Sequence, residues 1–244
     1  AFAVLFYRSL RYRRYLVGYK RGKYNLTDIL SLNQMGWMVG LKMGLETALF
    51  SITGIMIGWL GSIALAAHQV MVAISTLGFM IYYGVGAAVS VRVSNYFGRQ
   101  ELLHVRRTTM AGFHLILCLA VCACTVFLFS RELIGYLFTT SEEVIRVVST
   151  LVYILLAYQF GDALQITYAN SLRGIGDVIS MAVISFIGYF LIAMPVCYIC
   201  GFVLEWGITG IWIGYPIGLT LTGVMLCGRY YWKLKTKTQS KEFY

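Results

Sequence analysis

The chain has 244 residues, of which 59% are hydrophobic and 12% are charged, and its formal net charge is +10. Soluble domains carry about 25% charged residues, so this composition excludes an ordinary soluble domain and predicts a membrane protein. The positive charge does not indicate a nucleic-acid partner, because the basic residues lie between apolar runs and are not gathered with groove or stacking chemistry. We therefore expect the lipid bilayer, and no nucleic acid, as a partner.

The sequence begins with a short apolar run at residues 1–7, AFAVLFY, followed by the basic stretch RSLRYRR. Seven residues are too few to span a bilayer, which needs about 20. We therefore predict that residues 1–7 are the end of a preceding transmembrane helix and that the chain is a fragment. Residues 8–32 are basic and rich in tyrosine, and we assign them to a cytosolic linker.

Six apolar segments follow the linker, near residues 33–60, 67–95, 108–130, 144–171, 177–203 and 207–232. Each is long enough to cross a bilayer as an α-helix, and the connections between them are short. We predict an all-α membrane protein in which residues 33–232 form a six-helix transmembrane bundle and residues 233–244 form a basic cytosolic tail. Pro195 and Pro216 lie inside spans, where we expect kinks.

The distribution of Lys and Arg predicts the orientation, since loops rich in these residues stay in the cytosol. With residues 8–32 in the cytosol, alternation places residues 96–107 and the C-terminal tail on the same side. Only Arg131 and Arg146 then fall outside, and Lys42 lies within a span. We expect a multi-pass protein of the cell membrane and, more specifically, of the bacterial inner membrane.

Two acids, Glu46 and Asp162, remain within spans, where an unpaired carboxylate is costly. Lys42 lies one helical turn before Glu46, so the spacing predicts an ion pair on one helix face. Tyr158 lies one turn before Asp162 and Gln165 one turn after it, which makes a stripe of phenol, carboxylate and amide. Such groups either hold helices together or bind a proton or cation during transport.

Metal and catalytic motifs do not account for these residues. His114, Cys118 and Cys122 share a helix face, but no spacing matches a closed zinc site and no HExxH motif is present. Phosphate-binding glycine motifs and a nucleophile elbow are also absent from the sequence. We therefore expect no metal, no cofactor beyond a coupling ion, and no enzymatic activity.

Five stretches of the sequence carry recognisable motifs: GLETALFSITGIMIGWLGSIALAAHQV (44–70), GAAVSVRVSNYFG (86–98), AYQFGDALQ (157–165), SLRGIGD (171–177) and GITGIWIGYPIGLTLTG (207–223). Together and in register, they resemble the C-terminal half of a transporter of the multidrug and toxic compound extrusion family. The resemblance implies two pseudo-symmetric bundles of six helices each, with this chain as the C-terminal lobe and an N-terminal six-helix lobe as its partner.

The same resemblance implies a cation site, because some family members build one from an acid on helix 7 and a tyrosine and an acid on helix 10. The matching residues are Glu46, Tyr158 and Asp162, with Lys42 and Gln165 as modulators. They would couple the entry of Na⁺ or H⁺ to the export of small organic, often cationic, substrates, and we expect Glu46 and Asp162 to face a shared hydrated cavity. Lys42 stands where an uncharged residue is more usual, so the coupling ion stays open.

Three alternative functions agree less well with the sequence. A lipid-linked oligosaccharide flippase of related architecture would need several Arg or Lys in its cavity, and here only Lys42 lies deep in a span. An intramembrane enzyme would use Glu46, Asp162 and histidines, but the sequence has no compact catalytic motif. A non-transporting structural subunit would not require buried acids.

Overall fold

The structure is a computed structural model that describes residues 25–242. The predicted helix end at residues 1–7 and most of the predicted linker lie outside the described residues. In the described part of the chain, helices are joined by short turns and no strand is present. The helices are α1 (Leu26–Gly58), α2 (Ser62–Gly98), α3 (Leu102–Phe129), α4 (Arg131–Phe138), α5 (Glu142–Gly174), α6 (Val178–Val203) and α7 (Gly207–Glu242).

Six of these helices are long and apolar enough to cross a membrane, which confirms the predicted all-α, six-span architecture. The first begins at Leu26, so residues 26–32 of the predicted linker are helical. No Gly or Pro interrupts this stretch, and the Asn25 side chain accepts a hydrogen bond from the Thr27 backbone N–H at 3.2 Å. Such a bond satisfies one of the free N–H groups at a helix start.

Helix α4 lies in the connection between the third and fourth predicted spans, which the sequence did not predict to be helical. It has eight residues, too few to give a periodic signal, and it is stabilised by packing of Ile134 and Gly135. At Gly135 an added Cβ would lie 2.9 Å from the Ile145 side chain of α5. The short helix therefore depends on its contact with α5.

The chain divides into two units, residues 1–37 and 38–244. In the first unit the structure describes residues 25–37, which include the start of α1. The second unit contains the rest of α1 and the other six helices.

Helix α5 is the centre of the second unit and packs most extensively against α7 and α2. In its most apolar stretch 50% of the residues are buried, against 22% in α3. Leu155 of α5 packs in one apolar cluster with Trp212 of α7, and Tyr168 packs in a second cluster with Leu226. Asp162 lies between these two clusters along the helix.

Helices α6 and α7 approach closely because glycines recur every fourth residue on the α7 face that contacts α6. These glycines are Gly210, Gly214 and Gly218. At Gly214 an added Cβ would lie 2.9 Å from the backbone nitrogen of Cys197, so a larger residue would push the helices apart.

Helix α6 is irregular around Pro195, as the sequence predicts. Its α-helical parts, Val178–Phe186 and Met194–Tyr198, alternate with π-helical parts, Ile187–Ala193 and Ile199–Val203. Proline lacks a backbone N–H and so disturbs the regular ladder, whereas α7 continues as an α-helix through Pro216.

From residue 38 onward, α1 is joined to its neighbours mainly through side chains, since its backbone approaches the other helices at few points. The Thr53 hydroxyl and the Tyr215 hydroxyl of α7 share a buried hydrogen bond. The Phe50 ring stacks on the Tyr215 ring with centroids 4.7 Å apart. This arrangement leaves space between α1 and α2.

Candidate functional site

Lys42 and Glu46 form the ion pair that their spacing predicts. The Lys42 Nζ lies 2.6 Å from the Glu46 Oε2, and only 9% and 10% of the two side chains are exposed. A buried ion pair balances its desolvation only when the geometry is good, and this one is short and lies on one helix face. The Glu46 carboxylate is therefore already neutralised by a cation of the same helix.

A cavity of about 320 Å³ lies between α1, α2 and α5, and Glu46 is part of its wall. Tyr158 of α5 lines the same cavity, so the structure brings these two predicted site residues together. The rest of the wall includes polarisable and aromatic side chains, among them Met43, Phe79 and Met80. A second cavity, of about 530 Å³, continues along α1 and α2 and shares lining residues with the first.

Asp162 does not line this cavity, which differs from the predicted shared cavity with Glu46. It lies one turn beyond Tyr158 on α5 and is fully buried. The charged groups that act on it electrostatically are Glu46 and Lys42, so the three form one buried electrostatic cluster. Neither carboxylate oxygen of Asp162 has a hydrogen-bond partner among the residues the structure describes.

The missing partners of Asp162 distinguish it from three polar residues nearer the end of α5. Thr167, Asn170 and Ser171 each donate a hydrogen bond to a carbonyl four residues earlier in the helix. A carboxylate that is buried without a hydrogen-bond donor loses the free energy of hydration, and no hydrogen bond compensates for the loss. Its oxygen lone pairs are free to accept a proton or to coordinate a cation.

Gln165 contacts a residue that the sequence did not identify. Its Nε2 donates a hydrogen bond to the Tyr189 hydroxyl, which is buried on the π-helical part of α6. Tyr189 is also within electrostatic reach of Glu46 and Asp162. Gln165 therefore links the α5 stripe to α6 and leaves Asp162 without a donor from this amide.

Two further buried polar residues lie close to the α5 stripe. Tyr82 of α2 is within electrostatic reach of Asp162, and its hydroxyl has no partner among residues 25–237. Both polar atoms of the Gln159 side chain also lack partners there, and they lie against Gly78. The only signal in the sequence for either residue was a single polar group within an apolar run, which is not specific.

Comparison with known proteins gives the family. A family model described as MatE matches residues 39–199. The multidrug resistance protein NorM of Photobacterium profundum is 34% identical over 220 residues, which cover 88% of this chain and 47% of that protein. NorM of Vibrio cholerae is 32% identical, over 85% of this chain and 47% of that protein. The chain thus spans about half the length of the curated relatives it matches.

Solved structures share the fold. The eukaryotic MATE transporter AtDTX14 matches 89% of this chain and 51% of its own with a TM-score of 0.79 at 20% identity. The Vibrio cholerae MATE transporter VcmN in its bent form matches 91% of this chain and 50% of its own with a TM-score of 0.81 at 16% identity. These matches show that the chain has the fold of about half of each of these two proteins, whose names describe transporters. Because the family model covers well over half of its length, this multi-pass membrane chain belongs to the MatE family.

Proposed function

We propose that the whole protein exports small organic compounds, often cationic, in exchange for Na⁺ or H⁺ by alternating access between two lobes. In this proposal Glu46, Tyr158 and Asp162 form the coupling site of this half. The relatives named multidrug resistance protein and the structures named MATE transporter support it. The observation that carries it is the Asp162 carboxylate, which is fully buried with no hydrogen-bond partner among the described residues.

The charges of the buried cluster suggest how it exchanges an ion. Glu46 and Asp162 together carry two negative charges, and Lys42 supplies one positive charge. One proton or one Na⁺ therefore balances the cluster, and Asp162 is the carboxylate without a resident partner. Uptake and release of that ion change the net charge of the cluster between α1 and α5. A transporter must couple ion binding of this kind to a change between conformational states.

The cavity beside this cluster fits an organic substrate. Its volume of about 320 Å³ is within the usual range for small-molecule sites. Met43, Met80 and Phe79 present polarisable, adaptable surface, which suits chemically varied ligands. Lys42 is the only buried Lys or Arg among the described residues, which favours drug export over a flippase for anionic headgroups.

The completed transporter would contain an N-terminal six-helix lobe that faces this one across the substrate pathway. It would lie in the bacterial inner membrane, as the bacterial origin of the relatives suggests. Neither lobe alone would provide alternating access, because each needs the other to move against.

Efflux measurements on the full-length protein in membrane vesicles test the proposal. A fluorescent organic cation would be loaded, and Na⁺ and proton gradients would be imposed separately. We expect one gradient to drive efflux by the wild type and Asp162→Asn to reduce that efflux to the background, since an amide cannot take up a proton and holds Na⁺ weakly. Folding should survive, because the amide avoids a buried charge.

The matched control is Glu132→Gln, which removes one carboxylate from a side chain that is 81% exposed. It should leave ion-driven efflux unchanged. Ion-driven efflux at the wild-type rate in Asp162→Asn would show that this aspartate only holds helices together.

A further inference from the structure

We propose that a groove between α2 and α3, at the ends of these helices that are joined by residues 99–101, binds an anionic phospholipid. The inference depends on the predicted orientation, which places this end in the cytosol, and it does not depend on transport activity. The groove is separate from the proposed coupling site, since none of Glu46, Tyr158 and Asp162 lines it.

The groove has a volume of about 410 Å³ and is apolar along most of its length. Its walls include Val85 and Ala88 of α2 and Ala111 and Leu115 of α3. Ala88, Ala111 and Leu115 are exposed, so these surfaces are available to a lipid chain. An acyl chain lying along the groove would cover apolar surface that the protein leaves open.

The floor of the groove is closed by direct packing of the two helices. Gly112 of α3 is buried against Val89 of α2, and an added Cβ at Gly112 would overlap the Val89 side chain. The helices therefore approach closely beneath the groove, which opens away from the packed interior.

Two arginines, Arg92 of α2 and Arg107 of α3, line the groove and are exposed. The Arg92 Nη2 has one hydrogen bond, to the Tyr96 hydroxyl at 3.5 Å, which is long for such a contact. The Arg107 guanidinium has no partner among the described residues. Two guanidinium groups on facing helices provide planar donors for the phosphate of a lipid headgroup.

The acids at this end of the bundle do not neutralise the two arginines. Asp177 is paired with Arg229 at 2.8 Å, and Glu101 lies 3.5 Å from His104. The groove therefore keeps a local positive charge that only a ligand from outside the described residues would balance. A zwitterionic headgroup carries a positive group that would lie near the two arginines and be repelled by them, so an anionic lipid fits the groove better.

The depth of the arginines agrees with a headgroup. Helix α2 has 37 residues and is about 55 Å long, while the hydrocarbon core is about 30 Å thick and the headgroup layers extend it to about 40–45 Å. Arg92 lies six residues before the end of α2 at Gly98, about 9 Å along the axis. This is the level of the headgroup layer, and anionic lipids give the cytosolic leaflet a negative surface potential.

Native mass spectrometry of the full-length protein in detergent tests the proposal, with phosphatidylglycerol and phosphatidylcholine of the same acyl chains as probes. We expect the wild type to prefer phosphatidylglycerol, and the double variant Arg92→Gln/Arg107→Gln to lose that preference by roughly tenfold or more. The control Arg99→Gln/Arg146→Gln removes the same charge from two exposed arginines outside the groove and should keep the preference.

A second variant, Ala111→Phe, fills the apolar part of the groove and leaves both arginines in place. It should weaken binding of long-chain phosphatidylglycerol, because the acyl chain no longer fits. An unchanged preference in the double arginine variant, or an equal loss in the control, would overturn the proposal. So would competition by inorganic phosphate as effective as by the lipid, since the site would then recognise a free anion.

Discussion

Asp162 in the middle of α5 and Asp177 just beyond its end are both shielded from solvent, but their surroundings are opposite. Asp177 accepts hydrogen bonds from Arg229 Nε and Ser180 Oγ, each at 2.8 Å. Asp162 has no hydrogen-bond partner among the described residues. This fold therefore supplies partners to a carboxylate that joins helices, and the absence of partners at Asp162 is what favours a role in ion binding.

The orientation of the chain in the membrane, which places Asp177 near the cytosolic side, can be tested by an all-or-none labelling experiment. Ser141→Cys, between α4 and α5, should react with a membrane-impermeant maleimide in intact cells, because the predicted topology places it outside. Lys235→Cys should react only after the membrane is permeabilised. The unmodified chain, with its own six cysteines, gives the background. The reverse pattern would place Asp177 on the outer side and contradict the predicted orientation.

Removing the resident cation of the buried cluster should have the next largest effect. Lys42→Gln leaves Glu46 buried without its ion pair, so the variant should be less stable than the wild type in Na⁺-free buffer. Added Na⁺ should restore it, and the apparent Na⁺ affinity should rise roughly tenfold to a hundredfold if Glu46 is a ligand. Thermal unfolding followed across a Na⁺ titration measures both effects.

The control for this experiment is Lys42→Gln/Glu46→Gln, in which Asp162 is the only carboxylate left in the buried cluster. It should recover the stability lost in Lys42→Gln without Na⁺, and it should lose the additional Na⁺ response that Lys42→Gln gains. A Na⁺ response in Lys42→Gln no larger than in the wild type would show that Glu46 does not contact the ion.

Asp177→Asn should have a smaller effect, limited to stability. The substitution leaves Arg229 with a weaker partner, and we expect a loss of about 1–2 kcal/mol in the free energy of unfolding. Efflux per folded molecule should be unchanged, in contrast to Asp162→Asn. Thermal unfolding of the two variants side by side measures the difference, and a loss of ion-driven efflux in Asp177→Asn would remove the distinction between the two aspartates.

The same ion pair should make stability depend on pH. Burial raises the pKa of Asp177, but the hydrogen bonds from Arg229 and Ser180 and the charges of Arg229 and Lys233 outweigh burial, and the pKa lies below its ordinary value of 3.8. Because the folded pKa is depressed, the contribution is fully present above pH 3.8 and is lost as the pH falls through the folded value. In Asp177→Asn this acid-induced loss should be absent.

The six spans and the Lys42–Glu46 pair were predictable because each depends on residues close in sequence. An apolar run of sufficient length must bury its backbone as a helix in lipid, and a spacing of four places two side chains on one face. The structure contains both features. The proposed roles of Glu46, Tyr158 and Asp162 in ion coupling stay predictions.

The contact of Tyr189 with Gln165 and the position of Asp162 outside the cavity were not predictable from sequence. The first joins two helices, and Tyr189 lies in a π-helical stretch of α6, where the regular helical spacing does not hold. The second depends on how α1 lies against α5, which no local spacing determines. Helix α4 was also missed, because eight residues carry too little periodicity and their packing partner Ile145 lies on another helix.

Equilibrium ion binding tests most directly whether the Asp162 carboxylate takes up the coupling ion. Purified protein would be titrated with ²²Na⁺ at fixed pH while proton release is recorded, for the wild type, Asp162→Asn and the exposed control Glu132→Gln. We predict that the wild type and the control bind one ion or release one proton per molecule and that Asp162→Asn does neither. Unchanged Na⁺ binding and proton release in Asp162→Asn would contradict the account.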